Sequence, residues 1–443
     1  MREAETGDDR FGRELRRLRE KAGLTQVQLA TRLGYNHTYV SKLEGGSRVP
    51  RIAFAGGADE LLGAGGSLIA LATNVRARRQ QDDRGFADGT VGVPLPRPPV
   101  AILAAPPPPA RRVHLPSFGV ACPLHGVDGC AVTAPAEGLE GLVGDTARTV
   151  GAETVHGLAA MLVSYIEADL VGGGCLLSAP LEQTLRAIVG LVPKAPEAVA
   201  IALLRLAAQY ADLAAKQRIN HGQHGIGMTW LHRSVEWASA SRDHAAACGA
   251  LSSMSGLALL EGDGATAVEY ARAVAAVDRG RRWTVVQAGL VEARGHALLG
   301  DWREVDRLSN EAQRAADRLG DRDRLEAPWL FDAEGATYIA SHLAGALRDL
   351  TETTEDRAIA SRAVAFSESA LANVPPWMPA SRLLLTLRLA DSQACGGAFD
   401  AAIAVARPVL DAAQSAGSIR INHELDRLRL RLGDRCEDLL TDL

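Results

Sequence analysis

Four side chains near the middle of the chain have the chemistry to hold a metal ion. Cys122, His125 and Cys130 follow the order C-x2-H-x4-C, and His114 lies eight residues before the first of them. Two thiolates and two imidazoles can hold zinc tetrahedrally. The pattern is short and lacks a paired C-x2-C. An extended linker with incidental thiols is the preferred reading, so no metal and no other cofactor is assigned from sequence. Catalytic constellations are also missing. Gly172–Gly174 is not followed by the Lys-Ser/Thr of a phosphate-binding loop. His221 and His224, beside Asn220, form at most a polar loop, and no serine sits in a nucleophile elbow. The chain is not expected to be an enzyme.

The third chemistry is electrostatic. Between Arg10 and Arg51 stand ten basic residues (Arg10, Arg13, Arg16, Arg17, Arg19, Lys21, Arg32, Lys42, Arg48, Arg51) against Glu14, Glu20 and Glu44. That segment carries +7 in a chain whose total is −5. A compact basic module on an acidic body is the footprint of a nucleic-acid-binding head, although a solvated helical face would look the same.

These residues need elements to position them. The 443 residues are 47% apolar and only 4% aromatic. A core of alanine and aliphatic side chains favours helices over strands, and an all-α fold is expected. Six cysteines without dense spacing exclude a disulfide framework. No apolar run of about 18 residues suggests a membrane span, and the charged start lacks a signal-peptide core. A cytoplasmic protein without membrane contact is expected.

Composition divides the chain into three. Residues 1–80 read as a compact helical domain. Residues 81–145 are dense in proline and glycine and read as an extended linker. Residues 146–443 return to alanine- and leucine-rich helical segments.

In the first region Phe11, Leu15, Leu18 and Ala22 recur at helical spacing, with Gly23 as the stop. Thr25 opens a second helix as N-cap, with Gln28 as its capping-box partner. Leu29, Ala30 and Leu33 face inward, and Gly34 ends that helix. A third runs from about Asn36 to Glu44, with Val40 and Leu43 inside. A steep close crossing of two helices needs a small residue, a turn tolerant of positive φ and an aliphatic plug. Ala30, Gly34 and Val40 supply these in order. A fourth helix near Ile52–Leu62 contains Gly56-Gly57, which should weaken it.

LTQVQLATRLGYNHTYVSKLEGGSRVP, residues 24–50, resembles the phage-repressor (Xre) type of helix-turn-helix. It fits L-T-Q-x-x-L-A-x-x-x-G-x-x-x-x-x-[IV]-S-x-x-E-x-G-x-x-x-P at every fixed position. The resemblance implies a five-helix head whose third helix enters the major groove of double-stranded DNA. It places Asn36, His37, Thr38 and Lys42 toward base edges, Gln26 on a backbone phosphate, and Tyr39 and Ser41 at phosphate or rim. Arg48 and Arg51 would act on phosphates. It also implies a structural ion pair between Arg19 and Glu44.

The last region repeats a turn. Gly262-Asp263, Gly300-Asp301-Trp302 and Gly397-Ala398-Phe399-Asp400 each separate two amphipathic segments and precede small residues. The pattern resembles the tetratricopeptide repeat, helix pairs stacked into an α-solenoid with a concave face. About five pairs are expected. They begin near Val199–Ala215 and Thr229–Ser241 and include a degenerate pair near Leu330–Leu347 and Arg357–Leu371. Concave positions taken from that template are Ser252, Gln287, Arg294 and Asp391, candidates for contact with a peptide, small molecule or protein. All six tryptophans (230, 237, 283, 302, 329, 377) fall here and read as inter-helix core.

The architecture resembles actinobacterial Xre-type regulators and, more loosely, peptide-responsive quorum regulators. It implies a homodimeric transcriptional regulator with a sensing or dimerising body. An adaptor whose head serves localisation or dimerisation is the alternative.

Overall fold

The computed structural model describes residues 7–33, 37–45, 50, 52–64, 66–68, 71–72, 112–126, 129–134, 139, 150–171, 177–354 and 356–436. Asn36, Arg48 and Arg51 lie outside these residues. The chain divides into two compact units, 1–100 and 101–443.

The first unit is helical. It comprises α1 (Gly7–Lys21), α2 (Gln26–Leu33), α3 (His37–Glu44) and α4 (Ile52–Leu62). Ser67, Leu68, Leu71 and Ala72 are helical beyond them. Phe11, Leu15, Leu18, Leu29, Ala30, Val40, Leu43, Phe54 and Leu68 form one core. Helix α4 runs unbroken through Gly56-Gly57. Asp59 then ties its end to the next turn, accepting from Gly66 N at 2.6 Å and Leu68 N at 2.9 Å.

The second unit opens with an antiparallel hairpin, β1 (Arg112–Leu115) and β2 (Cys130–Thr133), in register from Arg112↔Thr133 to Leu115↔Cys130. This corrects the linker reading for that stretch. Val113, Leu115, Val120 and Val132 share a core with Val155, Leu158 and Leu162 of α5 (Ala152–Val171) and Leu181 and Leu185 of α6 (Ser178–Leu191). Strands of four residues are too short to show alternation against a proline- and glycine-rich background.

Five helix pairs follow among the described residues. They are α7/α8 (Glu197–Asn220, His224–Ser241), α9/α10 (His244–Leu260, Gly264–Val277) and α11/α12 (Arg282–Leu298, Trp302–Ala316). After the short α13 (Asp321–Glu326) come α14/α15 (Asp332–Thr354, Arg357–Asn373) and α16/α17 (Pro379–Cys395, Phe399–Ala406). Then α18 (Leu410–Ser415) leads to α19 (Ile419–Leu432), which packs on α16. Contacts of α16 with α5, and of α19 with α7, bring the end of the array back to its beginning. Helix α7 is long and apolar enough to cross a bilayer, with a mean hydropathy of 1.4 over its most apolar window. Arg205, Gln209 and Asp212 interrupt the run that the sequence would have shown. Here α7 packs against α6 and α8.

The turns explain the pairing. Gly262 and Gly300 take positive φ, and the following Asp263 and Asp301 cap the next helix by accepting from Thr266 N and Glu304 N. A third such turn uses Arg242, at φ 54°, before the capping Asp243. Its lack of glycine hid it from the sequence template.

Candidate nucleic-acid interface

Helix α2 starts where Thr25 and Gln28 cap each other. Gln28 N donates to Thr25 Oγ1 at 3.1 Å, and Thr25 N donates to Gln28 Oε1 at 2.9 Å. Both orphan donors of the first turn are satisfied, so the helix end is fixed. Helix α3 packs on α2 and α1 through Tyr39, Val40 and Leu43, all buried. Gly12 lets α1 approach the last turn of α3 closely. A Cβ there would press on Leu43 O and stand 2.8 Å from Glu44 O.

Glu44 joins the three helices. Arg19 Nε and Nη2 donate to its two carboxylate oxygens at 2.6 and 2.8 Å, and Gln26 Nε2 donates to Oε2 at 2.8 Å. Arg19 Nη1 also donates to Leu24 O at 2.8 Å, which closes the α1–α2 turn. The Glu44 hydrogen bond holds the Arg19 guanidinium further above its ordinary pKa, against the effect of burial. The ion pair implied by the resemblance is therefore formed.

With its inner side so fixed, α3 exposes His37, Ser41 and Lys42. Their positions on one α-helix place 37 and 41 one turn apart, with 42 beside them. Thr38 lies on the same helix. Arg16, Arg17, Lys21 and Arg32 are exposed on the neighbouring helices.

Two expected positions differ. Tyr39 is only 8% exposed, and its ring packs edge-on against Phe54 at 5.2 Å. It is a core residue rather than a rim contact, because position 39 lies one turn before Leu43 and beside Val40 on the buried side of α3. Gln26 is engaged by Glu44, a partner eighteen residues away that no local pattern reveals.

In the second unit the four concave positions do not line one open surface. Gln287 is buried and donates from Nε2 to Ser252 Oγ at 2.7 Å. Arg294 pairs with Asp349 at 3.2 Å. Asp391 is fully buried among Arg431 (2.8 Å), Arg348 (3.4 Å) and Arg427 (3.7 Å). These residues are thus engaged by protein groups, although Gln287 Oε1, Arg294 Nε and Asp391 Oδ2 are buried without a hydrogen bond.

The sequence template missed the residues at the centre of that network. Arg348 is buried, and its Nη1 pairs with Glu424 at 2.6 Å; Arg388 Nε reaches the same carboxylate at 2.7 Å. Gly345 makes room for Arg294, since a Cβ would stand 2.9 Å from its Nε. Arg420 forms no ion pair among the described residues. Its side chain is solvent-exposed, and the surrounding protein, then Arg388 and Arg294, lowers its pKa to about 10. Burial lowers Arg294 as well, and His342 falls to about 3 through burial and Arg294.

A family model described as a helix-turn-helix domain matches residues 10–72. No curated protein and no solved structure matches the chain.

Proposed function

We propose that the chain is a sequence-specific transcriptional regulator that reads double-stranded DNA with α3, and that its helical body senses a ligand or mediates protein contacts. The carrying observation is the exposure of His37, Ser41 and Lys42 on a helix whose other side is pinned by Val40, Leu43 and Glu44, within a segment of net +7. Such a helix meets the two needs of groove reading, a rigid mount and solvent-exposed polar side chains. In this reading Asn36, His37, Thr38 and Lys42 face bases, and Arg48 and Arg51 hold phosphates. A homodimer would set two heads at half-sites about 34 Å apart, and ligand in the body would change that spacing.

Selection of bound sequences from a random DNA pool by the full chain tests the reading. Lys42→Ala should then weaken the selected site by roughly 5- to 150-fold, as removal of a base contact worth about 1–3 kcal/mol requires. Affinity should also fall steeply with salt. Recovery of no preferred sequence, or full affinity in Asn36→Ala/Lys42→Ala, refutes the base-reading assignment.

A further inference from the structure

We infer that Cys122, His125, Cys130 and His156 form a zinc site that fastens the β1–β2 hairpin to α5. One ligand atom from each of the four lies within 4.8 Å of all the others. Cys122 Sγ stands 3.4 Å from His125 Nδ1, and Cys130 Sγ stands 3.7 Å from His156 Nε2. A tetrahedron with Zn–S near 2.3 Å and Zn–N near 2.05 Å has an S···N edge of about 3.6 Å, between those two separations. Two of the six edges of that tetrahedron are therefore already near that length, and the other four are no longer than 4.8 Å.

The backbone builds this arrangement. Cys122 and His125 flank a tight turn in which Gly126 N donates to Cys122 O at 2.7 Å, with Gly126 in the left-handed region. The turn sets both ligand atoms on one side. Cys130 opens β2, and His156 sits in the second turn of α5. The His125 and His156 rings lie 5.3 Å apart. His114, the fourth ligand suggested by spacing, is on the exposed face of β1 instead, opposite Ala131. The actual fourth ligand comes from a helix twenty-six residues past Cys130, which a local pattern cannot show.

The donor set selects the metal. Two thiolates and two imidazoles in a tetrahedron suit zinc, whereas calcium and magnesium require oxygen ligands. Four protein ligands leave no open position for water, so the site is structural. Binding releases the two thiol protons to solvent. The dication and two thiolates then sum to zero, which suits a site beside the buried Val113, Val120 and Val132. Zinc would add to the packing of Val113, Leu115 and Val132 against α5 in holding the hairpin. Its strands are four residues each, and a two-stranded hairpin is marginal in water.

The test is the metal content of tag-free full-length protein purified under reducing conditions. One equivalent of zinc per chain is expected. Cobalt(II) added after zinc removal should give the visible absorption bands of a tetrahedral thiolate site. His156→Ala should lose the zinc, and His114→Ala should keep it. Substoichiometric zinc without cobalt bands overturns the inference, as does zinc lost in His114→Ala but kept in His156→Ala. If His156→Ala fails to fold, the wild-type zinc content and cobalt spectrum still decide.

Discussion

Glu44 is the residue on which the reading helix depends. Its carboxylate takes two bonds from Arg19 of α1 and one from Gln26 of α2 while belonging to α3. Arg19 is buried, so removing Glu44 leaves its guanidinium with only Glu20 at 3.4 Å and the Leu24 carbonyl at 2.8 Å. Glu44→Ala should therefore destabilise the first unit by about 3 kcal/mol, the low end for breaking a buried pair. Glu44→Gln, which keeps one acceptor, should cost less. Amide hydrogen exchange in α1–α3 measures both, because all six tryptophans lie in the second unit and do not report on the first. Unchanged exchange in Glu44→Ala would show that the pair contributes nothing. At this scale the sequence was legible wherever a motif fixes a neighbour, as in the Thr25/Gln28 capping box. It was opaque for Gln26, Tyr39 and His156, whose partners are set by tertiary packing.

Two adjacent glycines in α4 show how an element departs from its propensities. Gly56-Gly57 should weaken this helix, yet α4 is continuous. The reason differs at each position. A Cβ at Gly56 meets nothing within 4 Å, whereas one at Gly57 stands 3.2 Å from Leu33 Cδ2 of α2. Gly56→Ala should then stabilise the first unit by about 0.5–1 kcal/mol, the usual gain over glycine in a helix interior. Gly57→Ala should give less or none, because Leu33 must shift. Hydrogen exchange of α4 amides separates the two; equal gains would mean that Gly57 has no packing role. In the second unit the same principle governs the α10–α11 crossing. A Cβ on Gly264 would lie 2.7 Å from Gly295 O, and one on Gly295 2.7 Å from Val268 Cγ2. Helix pairs were legible through their glycine–aspartate turns and alanine-rich faces. The hairpin was not, since four-residue strands carry too little periodicity and proline and glycine serve tight turns and linkers alike.

Across the whole second unit, the arginine-rich interior dictates how the protein responds to acid. His342 Nδ1–H donates to Tyr338 O at 2.9 Å, and its ring lies 4.3 Å from that of Tyr338. Burial and the cations Arg294, Arg388 and Arg420 hold its pKa at about 3. Between that value and the ordinary 6.5, the unfolded chain binds a proton that the native state refuses. Stability contributed by His342 is therefore present above pH 6.5 and declines as pH falls, by at most about 1.4 kcal/mol per pH unit. The carboxylates act lower. Burial alone would raise Asp349 and Glu424, but Arg348 and Arg427 together hold both below the usual carboxylate range. Their contribution is present above about pH 4 and is lost below it. Urea unfolding of the full chain, followed by tryptophan fluorescence, reports on this unit alone because every tryptophan is in it. From pH 6.5 to 5 the wild type should lose up to about 2 kcal/mol. His342→Gln keeps a neutral side chain of similar reach and should flatten that part of the curve, leaving the steeper fall below pH 4. An identical decline in the variant would place the proton uptake elsewhere and remove His342 from the acid response.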